Sequence, residues 1–169
     1  PKNELTCKES KMKNILYILA GLLILIAEIA VANKFPIFGA TPDLLLVYIV
    51  ILSRNTDAKS NFIVAAALGF IKDILIGLRF GANIIIFCVV AVVIRFTKDK
   101  IFEYRYLYPS VMIALGTIIQ VSVQAGVSQI FFSSVSFSAF MILLAKKAIL
   151  NCIFGLLIYE PACSAFEKI

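Results

Sequence analysis

Apolar residues fall in six blocks separated by short polar or charged breaks. Ile15–Ala32 is eighteen residues long with Glu28 as its one charge, enough to cross a bilayer as a helix and too long for a signal peptide. The block from about Pro42 to Ser53 is shorter and reaches only about 20 Å as a helix. Phe62–Leu78 contains Lys72 and Asp73, Gly81–Phe96 and Val111–Phe132 follow, and Phe137–Tyr159 contains Lys146 and Lys147. This pattern predicts an all-α integral membrane protein of six transmembrane helices. One membrane domain covers 15–160, between short segments at 1–14 and 161–169. The loops between blocks, the longest about a dozen residues around Thr97–Tyr108, leave no soluble domain.

Charge supplies the orientation. Lys2, Lys8, Lys11 and Lys13 precede the first block, and Arg54 and Lys59 follow the second. Arg95, Lys98, Lys100 and Arg105 follow the fourth, and Lys168 closes the chain. Six spans put these eleven on one side and leave only Lys34 and Arg79 on the other, so both termini are expected in the cytoplasm. Tyr17, Tyr104, Tyr106, Tyr108 and Tyr159 fall near the same inner boundary, where amphipathic rings prefer to lie. Composition agrees: 62% of residues are hydrophobic and 15% charged. The net charge of +6 is explained by topology rather than by a nucleic-acid surface. The four cysteines, Cys7, Cys88, Cys152 and Cys163, have no ligand spacing and read as small apolar fillers.

Charges inside hydrocarbon each need a reason. Glu28, Lys72 and Asp73 lie within roughly 8 Å of the outer ends of their spans. That shared depth allows Glu28 to contact Lys72 or Asp73; alternatively Lys72 snorkels outward unpaired. Ala66, Gly69, Asp73 and Gly77 form one stripe of a helical face, which points Asp73 toward a neighbouring helix. Thr41-Pro42-Asp43 reads as a helix start, with Thr41 as N-cap, Pro42 first in the helix and Asp43 against the positive end of its dipole. The preceding Phe35–Gly39 is unusually apolar for an outer loop and either dips into the bilayer or docks a partner. Gly116, Gln120, Gln124 and Ser128 make a polar stripe facing the bundle interior, a cavity or another protein. Lys146 and Lys147 lie near mid-membrane if the last helix begins at Phe137, with Lys147 or Lys146 buried toward Gln124, and shallower if it begins later.

No catalytic set accompanies these groups. The chain has no His, and no G-x-G-D, H-E-x-x-H, G-x-S-x-G or P-loop motif. Asp43 and Asp73 lack the Asn- and Gly-rich contexts of lipoprotein signal peptidases, so the chain reads as non-enzymatic, without metal or cofactor. Six helices of this size also suit the substrate-binding subunit of an energy-coupling-factor transporter, which would hold a vitamin-like molecule. The A-x-x-x-A docking seam of those subunits is missing from the first span, where Ala20, Ala27, Ala30 and Ala32 include no pair four apart.

Pro42-Asp43-Leu44-Leu45-Leu46-Val47-Tyr48 is followed some twenty-five residues later by Gly69-Phe70-Ile71-Lys72-Asp73-Ile74-Leu75-Ile76-Gly77-Leu78-Arg79-Phe80-Gly81. This P-D-L-L-L and G-F-x-x-D-x-x-x-G-x-x-x-G pairing resembles the rod shape-determining protein MreD family, with Lys72 a departure from its pattern. The resemblance implies a non-catalytic scaffold of the bacterial inner membrane, with a fold similar to the transporter subunits. It also implies binding to MreC and, through it, to the RodA glycosyltransferase and its penicillin-binding transpeptidase partner, linking peptidoglycan synthesis to MreB filaments. The surface for a partner helix is expected at Gly69, Asp73, Gly77 and Gly81, at Pro42 and Asp43, or at Gln120 and Gln124. The basic Arg95–Arg105 loop would meet lipid or a cytosolic partner.

Overall fold

A computed structural model describes residues 2–32, 39–76, 81–101, 107–131 and 136–166, with side chains over 11–30, 39–76, 81–97, 107–129 and 136–159. These residues form six α-helices: α1 (Lys2–Ala32), α2 (Leu44–Asn55), α3 (Ala58–Ile76), α4 (Ala82–Ile101), α5 (Leu107–Phe131) and α6 (Phe137–Phe166). Three contain stretches long and apolar enough to cross a membrane: Lys11–Ala30, Leu107–Gln129 and Phe137–Tyr159. Gly77, the loop at 33–38 with Lys34, Arg79, the 102–106 part of the basic loop and Lys168 lie outside the described residues, as do the side chains of Cys7 and Cys163.

The shortest helix occupies the centre. α2 has twelve residues and packs against all five others, while α1, α3, α4, α5 and α6 follow one another around it. Among the described residues α1 and α6 do not pack together, so the ring is open between them. Every residue from Leu45 to Ser53 is buried. The helix is apolar on all sides, so it has no face suited to water and is enclosed by protein.

The outside of the bundle is apolar as well. Leu23 is 70% exposed, Phe96 73% and Leu157 68%, and many large aliphatic side chains share that surface. The interior instead holds Glu28, Asp43, Lys72, Asp73, Thr117, Gln120 and Asn151. Polar groups within and apolar groups without is the reverse of a water-soluble domain and suits a lipid solvent.

One end of the bundle is basic and bonded by tyrosines. The Tyr48 hydroxyl donates to the Tyr17 carbonyl at 2.8 Å, the Ser53 and Tyr108 hydroxyls lie 2.7 Å apart, and Arg54 donates to the Tyr159 hydroxyl. Tyr17, Tyr108 and Tyr159 are therefore buried against α2 and do not form the interfacial belt expected from their positions. Asp57 caps α3 at this end, accepting from the Ser60 amide at 3.3 Å, and hydrogen bonding from Ser60 holds its carboxyl below the usual carboxylate range.

At the opposite end the helices differ in height. Asp43, Thr117 and Asn151 lie on one level, joined by hydrogen bonds. Beyond it α5 continues for fourteen residues to Phe131 and α6 begins fourteen residues earlier, at Phe137, about 21 Å in each case. α1 and α3 stop about 6 Å past Glu28 and Lys72. The α5–α6 hairpin thus stands clear of the other four, and no residue from Ser122 to Gln129 or from Ser136 to Ile149 is fully buried.

Among the described glycines, Gly69 is the one that faces the backbone of another helix. A Cβ there would come within 2.8 Å of the Ile84 Cα and 2.9 Å of the Asn83 carbonyl oxygen, both backbone atoms of α4. Gly69→Ala should therefore push α3 from α4 and cost about 1–3 kcal/mol. Gly126→Ala, in open space, should be neutral or slightly stabilising. Denaturation of the two variants in detergent, side by side, checks both.

Candidate functional site: a buried ion cluster joining all six helices

The N-terminus of α2 presents amides that have no partner within the helix and the positive end of its dipole. Asp43 is the N-cap: its backbone is non-helical (φ −97°, ψ 87°) and its carboxylate accepts from the Leu46 amide at 2.9 Å. The helix start is thus two residues later than Thr41-Pro42 suggested, because the Asp43 carboxylate can satisfy that amide while Thr41 and Pro42 remain outside the helix. The Leu45 amide is taken by Glu28 of α1 at 3.0 Å. One carboxylate local in sequence and one from a neighbouring helix share the first turn of α2.

Lys72 of α3 lies between them. Its ammonium is 2.6 Å from Asp43 Oδ2 and 2.9 Å from Glu28 Oε1, and 5.4 Å from the centre of the Phe87 ring of α4. Gln120 of α5 donates to the same Asp43 oxygen. Asn151 of α6 accepts from the Asp43 amide at 2.7 Å and donates to Thr117 Oγ1 of α5 at 2.9 Å. All six helices contribute a side chain to this one place. The α2 dipole and the Gln120 amide face the two carboxylates alongside the Lys72 ammonium. Each carboxylate oxygen already accepts at least one hydrogen bond. That arrangement holds helices in register; it does not present a free base to a substrate.

Asp73, the next residue, serves a different helix. Its Oδ2 accepts from the amides of Gly81 and Ile84 at 3.1 and 3.2 Å. Its Oδ1 accepts from the amide and side-chain nitrogen of Asn83 at 3.1 and 2.8 Å. Asp73 thus caps α4 from a neighbouring helix. Gly81, at φ +92°, makes the turn that aims these amides at it, a conformation open mainly to glycine.

The candidates named from sequence separate into groups. Glu28, Asp43, Lys72 and Gln120 meet in the cluster, with buried Pro42 just ahead of it. Of the two contacts open to Glu28, the structure contains the one to Lys72. Gly69 and Asp73 pack and bond against the start of α4, with Gly81 in the turn ahead of it, which accords with a packing role for this part of the stripe. Gln124 is half-buried and accepts from Lys147 at 3.4 Å. Lys146, expected to be buried, is exposed: one residue earlier along α6 than Lys147, it is turned about 100° away from it. Phe87, Thr117 and Asn151 were not singled out. Asn151 had a usable signal, lying one turn from Lys147 in an otherwise apolar helix.

The fold is that of an all-helical protein with three helices long and apolar enough to cross a membrane and a hydrogen-bonded ion cluster at its centre. The model of the rod shape-determining protein MreD family matches residues 10–164. The chain belongs to that family, whose part is in determining rod shape. No curated protein and no solved structure matches it.

Removing Lys72 leaves two buried carboxylates without their counter-ion. Lys72→Met should cost about 3–5 kcal/mol, and adding Glu28→Gln and Asp43→Asn should recover part of it, since Asn still caps α2. Denaturant titration of the single and triple variants measures both. Asp73→Leu strands the amides of the first α4 turn and should cost about 3 kcal/mol or more. Faster hydrogen exchange confined to the start of α4 is the expected signature.

Proposed function

We propose that the chain is a non-catalytic scaffold of the bacterial cell-elongation machinery, crossing the cytoplasmic membrane six times with both termini inside. It binds MreC and thereby supports RodA, its penicillin-binding transpeptidase partner and the link to MreB filaments. Family membership gives the process, and the hydrogen-bonded interior carries the mechanistic part of the reading. The charged groups of the interior, Glu28, Asp43, Lys72 and Asp73, are all engaged in hydrogen bonds within the bundle. What remains for other molecules is the outer faces of the helices.

Orientation is supported by where the described basic residues lie. Lys11, Lys13, Arg54, Lys59 and Arg95 all sit at the tyrosine-bonded end, as cytoplasmic positive charge requires. The ion cluster is then close to mid-membrane: Asp43 to Arg54 is eleven residues, about 16 Å, roughly half a hydrocarbon core.

Co-expression of the tagged full chain with MreC, mild solubilisation and purification tests the scaffold. MreC should co-purify in fixed proportion. A stoichiometric small molecule in place of MreC, seen by mass spectrometry of the same sample, would instead establish a ligand-binding subunit.

A further inference from the structure

The exposed face of α6 carries one feature that lipid does not explain. Ala139, Ile142, Lys146, Ile149, Ile153 and Leu156 are all exposed and follow one another at spacings of 3, 4, 3, 4 and 3. That alternation is the seam by which one helix packs along another at a shallow crossing angle. Aliphatic members of such a seam are equally at ease against lipid tails, so by themselves they identify nothing. Lys146 is different. It is a charged residue in the middle of the stripe, and it makes no hydrogen bond or ion pair with any described residue.

Its depth narrows the choice of counter-charge. Lys146 is nine residues from the start of α6, about 13 Å along the axis. Phe137, Met141 and Ile142 above it are exposed and apolar, and so are Ile149 and Ile153 below. The apolar surface therefore continues on both sides of the lysine. Lys146 lies five residues, about 8 Å, above Asn151 of the mid-membrane cluster. Headgroup phosphate is therefore met only by a stem extended fully toward the helix start, whereas a carboxylate on a neighbouring helix meets the ammonium at its own depth. A second copy of the chain has nothing to offer at this depth. Glu28, Asp43 and Asp73, the acidic residues of the described spans, are buried and bonded within their own bundle.

We infer that the Ala139–Leu156 face of α6 is the docking face for a partner's single transmembrane helix carrying an Asp or Glu at the depth of Lys146. The carboxylate neutralises the lysine and sets the register, as one polar residue does in a coiled-coil seam. The small Ala139 and the β-branched Ile142, Ile149 and Ile153 supply close packing around the pair. The inference rests on the scaffold reading and names the surface that reading requires.

The test uses the full chain in phospholipid vesicles with a donor dye. The probe is an acceptor-labelled synthetic leucine–alanine helix of about 23 residues, with one Asp about nine residues from its outer end. Energy transfer should show this probe binding at least about tenfold more tightly than its all-leucine counterpart. It should also bind more tightly than a helix with the Asp at the same distance from its inner end. Lys146→Met should abolish both preferences, and Lys146→Glu should transfer them to a probe with Lys in place of Asp. Gel filtration should show both exposed-site variants to be as well folded as the native chain. Equal binding of the Asp and all-leucine helices, or a preference that survives Lys146→Met, overturns the inference and leaves Lys146 snorkelling in lipid. MreC co-purification with the native chain reports separately on the scaffold reading. Success there with failure here removes only the α6 face, and the reverse removes only the assignment of MreC.

Discussion

Asp43 is linked, directly or through Lys72, to a side chain from every other helix, and the rest of the bundle follows from having to bury it. In lipid the hydrophobic effect gives helices little reason to associate in any particular order. A buried carboxylate at a helix N-terminus changes that, because each of its bonds selects a neighbour. Lys72 brings α3, Gln120 brings α5, and Asn151 brings α6 through the Asp43 amide. Glu28 adds α1 through the Leu45 amide and the shared lysine, and Phe87 of α4 covers the ammonium. The shortness of α2 is part of the same requirement. A helix that ran to the outer surface would leave its N-terminal amides and dipole in the headgroup layer; one that starts mid-bundle brings them to the charges.

Lys72 and Asp73 are adjacent in sequence yet serve opposite sides of α3. Neighbouring residues on a helix point about 100° apart, so one reaches α2 and the other α4. Gly69 lies one turn before Asp73, on the same face, and this spacing explains the glycine. Without a Cβ the first turn of α4 comes within contact of the α3 backbone, close enough for Asp73 to accept four hydrogen bonds from it. The small-residue stripe is thus a packing seam whose closeness makes a carboxylate cap feasible between helices.

The parts legible in the sequence were those encoded by local spacing. Apolar run lengths marked six helices. The equal depth of Glu28 and Lys72 followed from their distances to the ends of their runs, and the small stripe placed Asp73 against a neighbour. The parts that were not legible depend on which helices are neighbours. Glu28 meets Lys72 because α1 packs on α3, and Asn151 meets Asp43 because α6 packs on α2; nothing local to either residue says so. The tyrosines show the same limit. Their depth was readable, but Tyr108 and Tyr159 face inward because Ser53 and Arg54 of α2 are there to bond their hydroxyls. Which of Lys146 and Lys147 turns toward Gln124 was left open because depth alone does not separate them; helical phase does.

The two levels of the bundle divide the mechanical work. Between the tyrosine-bonded end and the ion cluster, the helices are tied to α2 at both ends of its length. More than about 6 Å beyond the cluster only α5 and α6 continue among the described residues, packed on each other and half-buried at most. A molecule that approaches the upper hairpin therefore meets side chains not engaged in holding the six helices together, apart from the Lys147–Gln124 contact. Lys146 is on that free side. On the scaffold reading, the lateral surface of the helices is what assembly uses. Concentrating internal bonding around Asp43 keeps the lower bundle rigid while the outer face of α6 remains available, so occupancy of one need not disturb the other.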